Sequence, residues 1–172
     1  MTPSKSLKEN LNHINNKYFI LQTENKLVGI KVNAGNNNAG ANKVNLTTAW
    51  NFILPKTYEF IERKTNKVND YSEAAYQSNG KIFYKFLDRN IELVLINFDN
   101  KSLIVNILRA TNGKVLHQSI LHGVDFNQQI ISEFEENIVV ISYARKDKVI
   151  ARNELFVIEF LKRDIEYSIL NL

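Results

Sequence analysis

Residues 81–121 read KIFYKFLDRNIELVLINFDNKSLIVNILRATNGKVLHQSIL, and the fold turns on this stretch. Ile, Leu, Val, Phe and Tyr crowd into 82–87 and 91–97, with Asp88-Arg89-Asn90 between them, so each run predicts a strand. Asp99-Asn100-Lys101 marks the next turn, and 102–109 alternates around Leu103, Val105 and Ile107. Asn112-Gly113 then stands between two apolar alternating runs, the pairing that supplies positive φ angles to a two-residue hairpin turn. A fourth strand is predicted over 114–121. Four consecutive antiparallel strands in about 40 residues have the size and order of one β-propeller blade.

Two weaker groups flank this expected complete blade. Residues 1–16 form a polar N-terminal segment; Leu7, Leu11 and Ile14 would share one face of a short helix there, with disorder as the alternative. A partial blade is expected over 17–63, from strands at 17–22, 27–32 and 46–54 and a short one at 58–63. Within it NAGNNNAGAN at 33–42 is uncharged and low in complexity, and reads as a flexible loop insertion. Residues 65–80 read as a long polar loop. A third blade is expected over 128–172, from strands at 128–132, 138–144, 153–161 and 165–170, with turns at 133–137 and 145–148. The chain's end truncates it.

The closing strands of the three groups rhyme: Trp50-Asn51-Phe52-Ile53-Leu54, His117-Gln118-Ser119-Ile120-Leu121 and Tyr167-Ser168-Ile169-Leu170. Trp50, Gly113, His117 and Tyr167 are therefore expected to be structural blade residues. The fold class is all-β, a partial β-propeller of about three four-stranded blades. Propellers close with about four to eight blades, so a larger propeller is expected.

Composition is that of a globular protein, with 44% apolar and 23% charged residues among 172. The net charge of +4 raises the question of nucleic acid. Its basic residues, however, alternate with acidic ones, as in Glu62-Arg63, Asp88-Arg89 and Lys146-Asp147-Lys148, where a phosphate-binding surface wants a cluster. Nucleic acid is not an expected partner. The chain has no cysteine, which removes disulfides, thiolate metal sites and a thiol nucleophile. No apolar run approaches the ~20 residues of a membrane span, and the N-terminus lacks a signal-peptide core.

Nothing reads as catalytic. His117 and His122 lie five apart across a strand end, which does not make a helical metal pair, and His13 is remote in sequence. Glu133, Glu135 and Glu136 read as a solvated turn in preference to an acid/base pair. No phosphate loop, nucleophile elbow or His-Glu-x-x-His is present. No metal or cofactor is expected. Arg152-Asn153-Glu154 is the most interesting polar cluster, read either as a local ion pair or, with Phe156 beside it, as a possible interface. Asn45-Leu46-Thr47 and Asn100-Lys101-Ser102 make Asn45 and Asn100 possible N-glycosylation sites, although an asparagine-rich chain offers about two by chance.

Five landmarks in order carry a family resemblance. They are Leu27-Val28-Gly29-Ile30 with Ala49-Trp50-Asn51-Phe52-Ile53-Leu54-Pro55; Tyr84-Lys85-Phe86-Leu87-Asp88-Arg89-Asn90; Asn112-Gly113-Lys114-Val115-Leu116-His117; Glu136-Asn137-Ile138-Val139-Val140; and Ala151-Arg152-Asn153-Glu154-Leu155-Phe156-Val157-Ile158-Glu159. From about residue 27 to 172 the chain resembles the C-terminal luminal region of the ER membrane protein complex subunit 1 family. Ile138 stands where that family has Trp, the 33–42 insertion departs from its pattern, and the chain stops before the family's remaining blades and membrane-spanning helix. The resemblance implies a luminal β-propeller at the ER membrane, with the other subunits of that complex and client membrane proteins as partners. Membrane association would come only through the missing parts of a longer protein.

The resulting expectation is a non-catalytic scaffold segment of a complex that inserts and stabilises transmembrane segments. Exposed loops at 65–80 and 133–137 would present contacts to partner subunits. The alternatives are a freestanding β-sandwich binding module and a fragment of a quinone-dependent propeller dehydrogenase.

Overall fold

In a computed structural model the described residues are 16–36, 42–69, 75–78, 81–146, 151–163 and 166–171. In chain order the strands are β1 (Tyr18–Thr23), β2 (Lys26–Asn36), β3 (Asn42–Ile53), β4 (Tyr58–Thr65), β5 (Ala75–Ser78), β6 (Lys81–Lys85) and β7 (Ile91–Phe98). There follow β8 (Ser102–Arg109), β9 (Val115–His122), β10 (Ile131–Glu135), β11 (Ile138–Lys146), β12 (Ala151–Arg163) and β13 (Glu166–Asn171). They form three antiparallel sheets, β1-β2-β3, β4-β7-β8-β9, and β10-β11-β12 with β13 on one edge of β12 and the β6-β5 hairpin on the other. This is a partial β-propeller, and no helix appears among the described residues.

Sequence explains why the middle sheet is the middle one. IELVLINF of β7 and SLIVNILR of β8 are nearly continuous apolar runs, the signature of strands covered on both faces. Ile91, Leu93, Leu95, Leu103, Val105 and Ile107 point one way and pack with Phe134, Val139, Ile141, Ile158 and Phe160 of the third sheet. Val94, Ile96, Ile104 and Leu108 point the other way and meet Ile20, Leu27, Trp50 and Leu54 of the first. Strand alternation thus divides one sheet between two cores. Each such side chain contributes about 1.5–3 kcal/mol when fully buried.

A register detail joins the second sheet to the third. Lys67, just past β4, bridges to Glu135 of β10 in parallel orientation. The strands on either side of this seam are the first of their sheets, β4 and β10, as successive blades around one centre require.

Several expectations are corrected. The sheet expected from 81–121 takes β4 in place of 82–87; β6 crosses to the third sheet, where Lys85 pairs with Leu161 and Tyr84 with Lys162. Asp88, Arg89 and Asn90 are therefore a crossover between sheets rather than a hairpin turn. The group at 17–63 correspondingly contributes only β1, β2 and β3 to its own sheet. The third group begins pairing at Ile131 rather than 128 and also receives β5 and β6.

The two ends of the 33–42 insertion are strand, because β2 and β3 keep pairing out to Asn36 and Asn42; residues 37–41 lie outside the described residues. The expected loop at 65–80 contains β5 and a buried Asn66. Glu133 and Glu135 belong to β10, which leaves only Glu136 and a buried Asn137 in the turn. The expectations for residues 1–15 lie outside the described residues.

The Asn112-Gly113 turn is also longer than expected. Only Gly113 has a positive φ, at 68°, and its amide donates to the Arg109 carbonyl at 2.8 Å. Asp99 and Asn100, with φ of 59° and 55°, instead form the tight turn between β7 and β8. A two-sheet sandwich is excluded by the third sheet and by the double-faced burial of β7 and β8.

Candidate interaction site

The most elaborate polar–apolar joint surrounds Trp50. On β3 it lies opposite Gly29 of β2, at a β-bulge, and its ring crosses the surface that a side chain at 29 would occupy. A Cβ on Gly29 would overlap the indole Nε1. On the other side a Cβ on Gly113 would stand 2.6 Å from the indole Cδ2. Between these glycines the indole Nε1 donates to the Ala110 carbonyl at 2.7 Å. Gly113 thus has a second role besides the turn: it makes room for an aromatic ring from the neighbouring sheet.

The two residues expected to match Trp50 in position both lie on strands. His117 lies on β9 and Tyr167 on β13, each the last strand of its sheet, as Trp50 lies on β3. His117 is half-buried, pairs with Ser119 Oγ at 2.7 Å through Nε2, and has its pKa pushed down by desolvation. His122 Nδ1 lies 3.2 Å from the hydroxyl of buried Ser102.

A charged seam runs between β4 and β10. Ser132 Oγ donates to Glu62 Oε2 at 2.6 Å, and Lys64 Nζ donates to the Ser132 carbonyl while standing 3.4 Å from both Glu62 and Glu133. Lys67 joins Glu133 at 3.4 Å. The two ammonium groups, Lys64 first, hold the Glu133 carboxyl below the usual range. Deeper, Asn66 Nδ2 donates to the carbonyls of Asp88 at 2.9 Å and Glu136 at 2.6 Å, and Lys85 pairs with Glu136 at 2.8 Å. The expected acidic turn is therefore an intersheet fastening.

Strand alternation separates Arg152, Asn153 and Glu154. Arg152 and Glu154 lie on the face of β12 that carries Tyr143's partner position, and Asn153 lies on the opposite face. Tyr143 Oη donates to Glu154 Oε2 at 2.8 Å, while Arg152 Nε and Arg145 Nη1 stand 3.1 and 3.5 Å from Oε1. The Tyr143 hydrogen bond, then the two guanidinium groups, lowers the Glu154 pKa against an opposing desolvation. Burial and the neighbouring Glu154 push the Tyr143 hydroxyl up to about 12. Arg152 is 57% exposed on the face of this network, and Leu155 is 65% exposed on the opposite face with Asn153.

Sequence reading missed three of these features. Gly29 as the seat of Trp50 could have been suspected from the tryptophan opposite it, but only with the register known. Asn66 carries no local signal. Glu92 sits inside an apolar strand, 5% exposed, with Thr65 Oγ1 donating to Oε1 at 2.9 Å and Arg63 Nη1 3.5 Å from Oε2. Among the described residues no group of His, Cys, Asp or Glu is arranged to hold a metal, and no helix is long and apolar enough to cross a membrane. A cleft of about 530 Å³ lined by Glu24, Asn25, Lys56, Tyr58 and Glu59 opens between the β1–β2 and β3–β4 turns.

Comparison with known proteins gives one family. The family model described as ER membrane protein complex subunit 1, second beta-propeller, matches residues 1–168. A search of curated proteins found none that matches.

Proposed function

The chain belongs to the family of ER membrane protein complex subunit 1, matching its second β-propeller, and on that footing we propose that it is a non-catalytic luminal scaffold segment of that complex. The single observation that supports a scaffold role is the stack of sheets with apolar faces left at both ends. On the outward face of the first sheet Phe19, Leu21, Leu46 and Ile53 are 48–67% exposed. On that of the third, Ile131, Ile138 and Leu155 are 40–65% exposed. Blades of a propeller pack face to face, and further blades of the same propeller would cover these surfaces.

The mechanism is passive. A rigid stack of blades holds loops and edges in fixed positions, and partner subunits read those positions. Arg152 offers one such contact, an exposed guanidinium beside a carboxylate already neutralised within the chain, while Asn153 and the exposed Leu155 lie on the opposite face of β12 and offer another. The assembled complex would insert and stabilise transmembrane segments of client proteins, with this chain contributing support rather than chemistry.

Affinity capture of the native product from detergent-solubilised ER, combined with protease protection in sealed vesicles, tests this reading. Recovery of the other subunits of the complex, with the segment cleaved only after detergent is added, is the expected result. Cleavage in sealed vesicles, or recovery without the other subunits, would sink it. Arg152→Ala should lower the recovery of partner subunits severalfold while leaving the unfolding midpoint near the parent's.

A further inference from the structure

The β2–β3 arm supplies an inference that rests on the luminal reading and goes beyond it. β3 is an edge of its sheet, and its second edge pairs with no strand among the described residues. Residues 44–49 are all exposed, and Val44 and Leu46 are 42% and 64% exposed. A long, apolar, open edge is a template for pairing with another chain, and natural edges are normally blunted by charge, proline, a bulge or a cover. The charge on β3 is Lys43 at its outer end, no charge or proline intervenes in VNLTTA, and the bulge opposite Gly29 and Ile30 lies at the inner end of this segment.

We propose that Asn45 carries an N-linked glycan and that this glycan covers the open edge of β3. The sequon Asn45-Leu46-Thr47 lies wholly within the exposed segment, and alternation puts Asn45 and Thr47 on one face of the strand. Among the described residues Thr47 Oγ1 makes long contacts, 3.4 Å to the Lys31 carbonyl and 3.4 Å from Asn33 Nδ2. A bulky, solvated oligosaccharide at this point leaves both cores undisturbed and excludes an incoming strand.

The second sequon also exposes its asparagine but differs in backbone and in the burial of its hydroxyl. Asn100 occupies a left-handed turn, where its amide N donates to Asn97 Oδ1 at 3.1 Å and its own Oδ1 accepts from Asn97 Nδ2 at 2.9 Å. The Ser102 hydroxyl is buried against His122. The structure therefore assigns one glycan, on Asn45.

Electrophoretic mobility of the native product from cells, before and after glycosidase treatment, tests the assignment. A single downward shift is expected, abolished by Asn45→Gln and equally by Thr47→Ala, and retained by Asn100→Gln. A shift that survives Asn45→Gln, or that only Asn100→Gln removes, overturns it. Pro55→Asn creates a reporter sequon with Lys56 and Thr57 in the exposed β3–β4 turn. If that variant shifts while the parent does not, the Asn45 assignment fails and the luminal reading stands; if neither shifts, both fail. Native deglycosylation should raise the sedimenting mass by self-association, and an unchanged mass overturns the shielding role.

Discussion

The indole Nε1 of Trp50 donates to the carbonyl of Ala110 at 2.7 Å, tying the last strand of the first sheet to the β8–β9 turn of the second. Two sheets that otherwise meet through non-directional apolar contacts are given one defined relative position by this bond. Trp50→Phe keeps most of the apolar area but strands a buried acceptor, at a cost of about 1–3 kcal/mol. Trp50→Ala also opens a cavity and should cost about 3–5 kcal/mol. Denaturant unfolding measures both; a midpoint for Trp50→Ala equal to the parent's would show that the indole holds nothing together.

The two glycines that flank the indole should be coupled to it. Gly29→Ala drives a methyl into the ring, and Gly113→Ala adds to that a left-handed φ of 68°, which costs a non-glycine residue about 1–2 kcal/mol. In a Trp50→Ala background the Gly29→Ala penalty should nearly vanish, because the atoms it strikes are gone. Gly113→Ala should keep its backbone share. Double-mutant cycles on thermal midpoints separate the two terms; equal penalties in both backgrounds would refute the steric account.

Glu92 makes stability depend on pH in the direction opposite to a carboxylate whose pKa is lowered on folding, such as Glu133. Burial raises its pKa above 4.5, and the Thr65 hydrogen bond and the Arg63 charge offset this only in part. The folded state therefore holds the proton more tightly than the unfolded one. This group's contribution to stability falls as pH rises from the unfolded value through the folded one, and the penalty is complete above it. Glu92→Gln, which can still accept from Thr65, should remove that slope and be neutral or stabilising at pH 7. Unfolding free energies measured between pH 4 and pH 8 for parent and variant check it, and parallel curves would contradict it.

Asn66 fastens the second sheet to the third through the carbonyls of Asp88 and Glu136. Asn66→Ala leaves both without this donor and should cost about 1–3 kcal/mol. Asn66→Asp should cost more, since it replaces the donor by an acceptor facing two carbonyls. Chemical denaturation of the two variants gives the order, and an aspartate variant as stable as the parent would show that the fastening is dispensable.

Tyr143 offers a spectroscopic check on the β11–β12 network. Its hydroxyl titrates near 12, so the folded protein retains this proton above the ordinary value of 10. Stability contributed by the proton is complete below pH 10 and declines as pH rises towards 12. Ultraviolet titration of the parent should show a late tyrosinate that is missing in Tyr143→Phe; its persistence in the variant would assign it elsewhere.

Local sequence determined a good deal. Alternation and turn residues marked most strands, because side-chain period is written in residue order; that β8, which reads as alternating, is covered on both faces came only from the packing of three sheets. The rhyme with His117 and Tyr167 singled out Trp50, but not the burial of its indole between two sheets. Partnership between strands was not legible in this way. Whether β6 or β4 completes the central sheet depends on pairing across tens of residues, and the apolar pattern of β6 suits either neighbour. Only tertiary structure decided that Asn33–Asn45 and its neighbours extend a hairpin, that Asn66 and Glu92 are buried, that alternation parts Asn153 from Arg152 and Glu154, and that Gly29 and Gly113 enclose one indole. Each of these is a meeting of residues distant along the chain, and sequence position alone encodes no distance between them.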